Sequence, residues 1–131
     1  MKNTATIILV LTIIFLAGCN PFNSPKMNEG FTQISKLQIK QVVMDIEFYK
    51  LQYGHYPDSL PQLQDTDALV PITDAAPGMQ TKIAYYNYER IEEKYTLFSS
   101  GMDGVAGTKD DFYPEIDIPD SSKIGLIIKP N

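Results

Sequence analysis

From Ser99 to Asp111 the sequence reads Ser-Ser-Gly-Met-Asp-Gly-Val-Ala-Gly-Thr-Lys-Asp-Asp, with three glycines at three-residue spacing and three aspartates within nine positions. Carboxylates crowded this closely repel each other and require a cation or water between them, while glycines permit tight folds that aim backbone carbonyls inward. Carboxylate and carbonyl oxygens are the hard ligands that calcium takes, about six to eight at a time. A solvated Asp/Gly turn is the competing reading of the same residues. Zinc and softer metals are poorly served, because the chain holds one histidine and one cysteine. The spacing is not that of an EF-hand, and the lysine and helix context of a phosphate loop are missing. Enzyme chemistry finds little support. His55 sits in the turn Gly54-His55-Tyr56-Pro57, no Gly-x-Ser-x-Gly elbow occurs, and the loop aspartates are too close in sequence for an acid/base pair. Tyr85, Tyr86, Tyr88 and Tyr95 could form a sugar-stacking platform, but on strands beside a long helix they are expected in the core with hydroxyls at its rim.

The elements around this loop follow from periodicity. No proline occurs from about Asn28 to Tyr53, and at helical spacing Ile39, Val42, Val43, Ile46, Tyr49 and Tyr53 gather on one face. Leu37, Met44, Phe48 and Leu51 form a second stripe on nearly the opposite side, with Gln38, Gln41, Asp45 and Gln52 along a seam between them. Gly54 supplies a C-terminal cap and Pro57 forbids continuation. A helix apolar on two sides must be covered on two sides: a sheet would take the first stripe, and either the following loop or a partner would take the second, with Leu37 and Met44 as partner-binding candidates. A long segment to about Gln80 follows, punctuated by Pro61, Pro71 and Pro77 and anchored by Leu60, Leu63, Leu69, Val70 and Ile72. Residues 82–88 and 94–99 then read as strands joined through the polar link Glu89 to Glu93, and 123–129 as a third strand. One helix followed by consecutive strands predicts an α+β fold, a long N-terminal helix packed on a small antiparallel sheet of three to four strands.

The chain start carries an address. Lys2, an uncharged run from Ala5 to Cys19 and a small-residue end read as an export signal, too short for a comfortable membrane span. Leu16-Ala17-Gly18-Cys19 resembles the lipobox of bacterial lipoproteins, which implies cleavage before Cys19 and attachment of acyl chains, palmitate among them, to that residue. Several acyl chains on one residue give the multiple anchors that stable membrane attachment needs. Asn20 in such a class implies outer-membrane sorting, facing the periplasm. The expected organisation is a signal peptide over 1–18, a lipidated tether over 19–28 and a globular domain over 29–131. Without 1–18 the chain keeps 10 basic and 16 acidic groups, a net charge of −6 with no basic stripe, which argues against nucleic-acid binding. A single cysteine excludes a disulfide scaffold.

Two further stretches resemble one family. Residues 45–57, Asp-Ile-Glu-Phe-Tyr-Lys-Leu-Gln-Tyr-Gly-His-Tyr-Pro, resemble the end of the long helix in bacterial pseudopilins, above all the major G-type pseudopilin of type II secretion. Residues 95–104 and 107–111 resemble that family's calcium loop, in the right order. The resemblance implies carboxylate ligands from Asp103, Asp110 and Asp111, carbonyl ligands from around Ser100 and Val105, and a structural role for calcium. It also exposes a departure. Glu29-Gly30-Phe31-Thr32 echoes the prepilin-peptidase junction, yet Ser35, Lys36 and Lys40 follow in place of a membrane helix. The expectation is a non-enzymatic, lipid-anchored accessory of a type II secretion or type IV pilus-like system, binding pseudopilin-like or other secretion proteins. The alternative is a lipoprotein module using the same fold for an unrelated envelope protein or ligand.

Overall fold

The computed structural model describes residues 24–66, 70–78, 82–116 and 124–128. The export signal, Cys19 and most of the tether lie outside the described residues. Helix α1 spans Pro25–Tyr53, beginning about three residues before the sequence period suggests. Ser24-Pro25, read as tether, is in fact the helix start: Ser24 accepts from the Met27 amide at 3.4 Å, and proline loses nothing at the first helical position. Lys50 in the last turn suits the negative end of the helix dipole, and Gly54 closes it with its N–H on the Lys50 carbonyl.

The first stripe of α1 is buried as expected except at its C-terminal end, where Tyr53 stays exposed. Ile39, Val42, Val43, Ile46 and Tyr49 pack into one core with Tyr56, Leu60, Leu63, Val70, Ile72, Tyr86, Tyr95, Leu97 and Leu126. Burying each large aliphatic side chain contributes roughly 1.5–3 kcal/mol, so this face fixes the fold. The long connection supplies Leu60 and Leu63 from a 3₁₀ helix, Leu60–Thr66, and then Val70 and Ile72. All of its described anchors join the core beneath the first stripe. The second stripe is therefore left uncovered: Leu37, Met44, Phe48 and Leu51 are 70, 66, 61 and 83% exposed.

The sheet is smaller than expected. Strands β1 (Asn87–Ile91) and β2 (Lys94–Phe98) form an antiparallel hairpin pairing Asn87 with Phe98 and Ile91 with Lys94. The turn falls at Glu92-Glu93, at the end of the polar link, and Glu92 adopts φ 53 without the glycine or asparagine that usually betrays such a turn. The described part of the expected third strand makes one bridge, and a parallel one. Tyr95 donates to the Gly125 carbonyl and accepts from the Ile127 amide, at 2.9 and 2.8 Å. Thr73 and Tyr85 form a further single bridge. The fold is α+β, with a two-stranded sheet extended by bridging segments where three to four full strands were expected.

Polar contacts orient the hairpin. Tyr88 donates to the Pro57 carbonyl at 2.6 Å, Arg90 pairs with Asp58, and Lys50 pairs with Glu93. The two ion pairs are largely solvated and contribute little; burial of Tyr95 and Leu97 on alternate positions of β2 outweighs them. The Glu47 carboxylate accepts from the hydroxyls of Tyr56 and Tyr95 and from the Gly125 amide, each at 3.0 Å. Burial raises both phenols, Tyr56 to about 12 and Tyr95 further, with Glu47 adding to the effect. Gly125 has no room for a side chain, since a Cβ there would meet the Tyr56 ring. Glu47→Ala leaves the fully buried Tyr95 hydroxyl without its acceptor and should lower stability by about 2–3 kcal/mol in urea unfolding. Glu47→Gln, which keeps one acceptor oxygen, should lose less.

Candidate functional site

The Gly/Asp loop is pinned at its root, where Ser99 and Phe112 exchange backbone hydrogen bonds at 2.9 and 3.2 Å. Its interior is organised by carboxylates. Asp110 Oδ2 accepts from the Asp103 amide at 3.0 Å, and Asp111 Oδ2 from the Gly107 amide at 2.7 Å. Asp103 turns its own Oδ1 back to the Val105 amide at 2.8 Å. The loop therefore joins Asp110 to Asp111 through Thr108, and Asp103 to Asp110 through its backbone rather than its side chain. The Ser100 side chain faces away, accepting from Asn87 Nδ2 at 2.7 Å.

The hydroxyl of Thr108 lies 2.7 Å from Asp110 Oδ1, 3.1 Å from the Val105 carbonyl and 3.5 Å from Asp111 Oδ1. A hydroxyl donates one proton, so three acceptor oxygens share one donor. Two carboxylate oxygens and a carbonyl drawn to one point form the kind of donor set a hard cation uses. Among the described residues no group of three or more His, Cys, Asp or Glu side chains is placed to hold a metal, so a cation here would complete its shell with carbonyl oxygens and water. The Asp110 carboxyl is held below its ordinary range, chiefly by Thr108 and then by the Asp103 amide. A depressed carboxyl stabilises the fold above its unfolded-state value, and that contribution is lost as pH falls through the folded-state value.

A second polar cluster sits beneath the loop, and sequence reasoning missed it. Buried Asp74 accepts from Ser35 Oγ and Ser99 Oγ, both at 2.6 Å, and from the Ala76 amide at 2.9 Å. Ser99 Oγ in turn accepts from the Gly101 amide at 3.0 Å, and the Tyr86 hydroxyl reaches the Ser35 carbonyl. Burial pushes the Tyr86 phenol up to about 12. Both serines are completely buried and no histidine is part of the cluster, so the arrangement binds segments together and offers no nucleophile to a substrate. The available clue was a lone carboxylate within the apolar stretch 70–77.

The remaining candidates resolve simply. His55 is exposed, its Nδ1 2.9 Å from the Tyr56 carbonyl and its ring edge-on to Tyr49. Tyr86 and Tyr95 are core, Tyr88 is half-buried and Tyr85 is exposed, so they share no platform; the first three spend their hydroxyls on internal partners.

The family model described as type II secretion system, protein G, matches residues 24–114. The chain belongs to the type II secretion protein G family. The match takes in α1, the hairpin and the whole Gly/Asp loop. No curated protein and no solved structure matches the chain. Protein G is a pseudopilin, a structural rather than enzymatic component, which associates this pseudopilin-like chain with the secretion machinery of the cell envelope. Among the described residues no helix is long and apolar enough to cross a membrane.

Within this protein G loop, Gly101 has φ 64, and a Cβ there would collide with the Asp110 carbonyl and carboxylate. Gly107 has φ 89 but open space around it. Gly107→Ala should cost only the left-handed backbone penalty, about 1–2 kcal/mol. Gly101→Ala should cost clearly more when both variants are compared by thermal melting, because it also displaces Asp110.

Proposed function

We propose that this chain is a non-enzymatic, lipid-anchored protein G-like module, held through Cys19 at the periplasmic face of the bacterial outer membrane. It serves as an accessory of a type II secretion or type IV pilus-like system and docks other secretion-system proteins through the apolar stripe that includes Leu37 and Met44. The observation that carries this reading is that stripe: among the described residues, a second apolar face of α1 stays open to solvent beside the buried core of a protein G domain. A lipid on Cys19 would supply the membrane attachment that the described helix does not.

Calcium is the proposed structural ligand of the Gly/Asp loop, with Asp110, Asp111 and the Val105 carbonyl as the oxygens already drawn together. Asp103 would join once its side chain leaves the Val105 amide, and the Ser100 carbonyl would close the set. Binding would neutralise the crowded carboxylates and stiffen the loop against the strand ends. Filling such a site at about 100 times its dissociation constant adds roughly 2.7 kcal/mol. Calcium should therefore raise the melting temperature relative to EDTA, magnesium should do much less, and Asp110→Asn should abolish the shift. Equal melting in calcium and EDTA would remove calcium from the account.

The docking and anchoring parts are tested together in cells. Cys19→Ser should abolish incorporation of labelled palmitate into the chain. Leu37→Glu with Met44→Glu should leave it membrane-bound and folded but unable to co-purify with secretion components. Loss of folding in that double variant would make the stripe part of the core and sink the docking reading.

A further inference from the structure

The peptide bond between Ser100 and Gly101 ties the Gly/Asp loop to the buried cluster beneath it. Its N–H end, at Gly101, donates to Ser99 Oγ at 3.0 Å. No peptide bond among the described residues is cis, so this unit is planar and trans, and its C=O end points the opposite way. The direction of the Ser100 carbonyl is therefore set by the position of one buried hydroxyl. That hydroxyl is held in turn, because Ser99 Oγ donates to Asp74 Oδ2 at 2.6 Å. The other carboxyl oxygen of Asp74 accepts from Ser35 Oγ of α1 at 2.6 Å and from the Ala76 amide at 2.9 Å. A hydroxyl that accepts one hydrogen bond donates a stronger one, so the links from Gly101 through Ser99 to Asp74 reinforce each other.

The same peptide unit is fixed from two further sides. The Ser100 side chain accepts from Asn87 Nδ2 at 2.7 Å, which anchors it to β1. Gly101 lies so close to the Asp110 carbonyl and carboxylate that no Cβ would fit between them. Asp74, Ser35 and Ser99 are buried, whereas Asp103 and Asp110 are exposed. Three donors occupy the two Asp74 oxygens, so Asp74 reaches the loop through Ser99. A tie between α1 and the end of β2 that needed only cohesion could be apolar. A buried carboxyl group instead demands partners for its oxygens, and in doing so it fixes direction. Outer partners of this kind orient the groups that touch a metal, and their loss typically weakens binding by about 10–100-fold.

We infer that Asp74 and Ser99 are positioning residues for the proposed calcium site: they aim the Ser100 carbonyl at the cation and link occupancy of the loop to the seating of α1 at Ser35. The inference rests on the calcium reading of the loop. Linkage makes the effect reciprocal, so whatever α1 adds to calcium affinity through Ser35, calcium returns as tighter seating of α1. The test is calcium titration calorimetry on the full chain in detergent, joined to amide hydrogen exchange in calcium and in EDTA. Ser99→Ala and Asp74→Asn should each weaken calcium binding by about 10–100-fold, and Ser35→Ala severalfold. Glu47→Gln, which loosens the opposite end of the domain, should bind calcium as the wild type does. Calcium should slow exchange in α1 around Ser35 in the wild type, and saturating calcium should not do so in Ser99→Ala. If Ser99→Ala and Ser35→Ala bind as tightly as the wild type, the positioning role is overturned and calcium stays in place. Equal weakening in Glu47→Gln would also overturn it, because the loop would then be responding to stability alone. A wild type that takes up no calcium would remove the calcium reading, and this inference with it. Should Asp74→Asn fail to fold by circular dichroism, Ser99→Ala and Ser35→Ala carry the same test.

Discussion

One carboxylate on a helix holds together segments that the chain delivers far apart. Glu47 gathers a hydroxyl from the turn after α1, a hydroxyl from β2 and an amide from the segment at 125. A carboxyl group beneath a protein surface tolerates burial only when hydrogen-bond partners surround it, and here every donor comes from a different element. The constraint acts both ways. Tyr95 is fully buried with a phenol that needs an acceptor, and Gly125 is stripped of side chain so that the Tyr56 ring can lie against it. Apolar burial supplies most of the stabilisation and sets which faces turn inward, and hydrogen bonds to one fixed pair of oxygens add a directional constraint.

Asp74 plays the corresponding part at the other end of the domain, where it ties the N-terminal half of α1 through Ser35 to the end of β2 through Ser99. Because Ser99 also receives the Gly101 amide, the root of the Gly/Asp loop is built on this buried cluster. The loop's conformation thus depends on the core from below and on its own aspartates from within. A ligand that stiffened it would act on a frame already continuous with the helix.

The helix, its two apolar faces and its glycine cap were legible because they follow a period that the sequence displays directly. The second strand of the hairpin was legible as a β-rich run, but the first was placed too early. Strand β1 takes Glu89 to Ile91 from the polar link and only Asn87 and Tyr88 from the expected run, and the turn at Glu92-Glu93 carries none of the residues that favour positive φ. The third strand was half right: the apolar run at 124–128 does meet β2, yet a single parallel bridge depends on tertiary placement, to which local propensity is blind. Glu47, Asp74, Ser35 and Ser99 were invisible for another reason. They lie tens of residues apart, and a polar residue reveals its burial only when its partners have been brought to it. The loop aspartates were the opposite case, conspicuous in sequence, with their convergence on Thr108 decided by backbone turns that spacing does not specify.

The segment at 124–128 carries a consequence for the order in which the molecule is made. It brings Leu126 into the core, Gly125 to Glu47 and Ile127 to Tyr95, contacts that span up to 78 positions of chain. Contacts of such range come late in folding because their loop closure must be met before they return anything. A ribosome delivers this segment after every other described element, so the helix and hairpin wait with Tyr95 and Glu47 incompletely satisfied until it arrives.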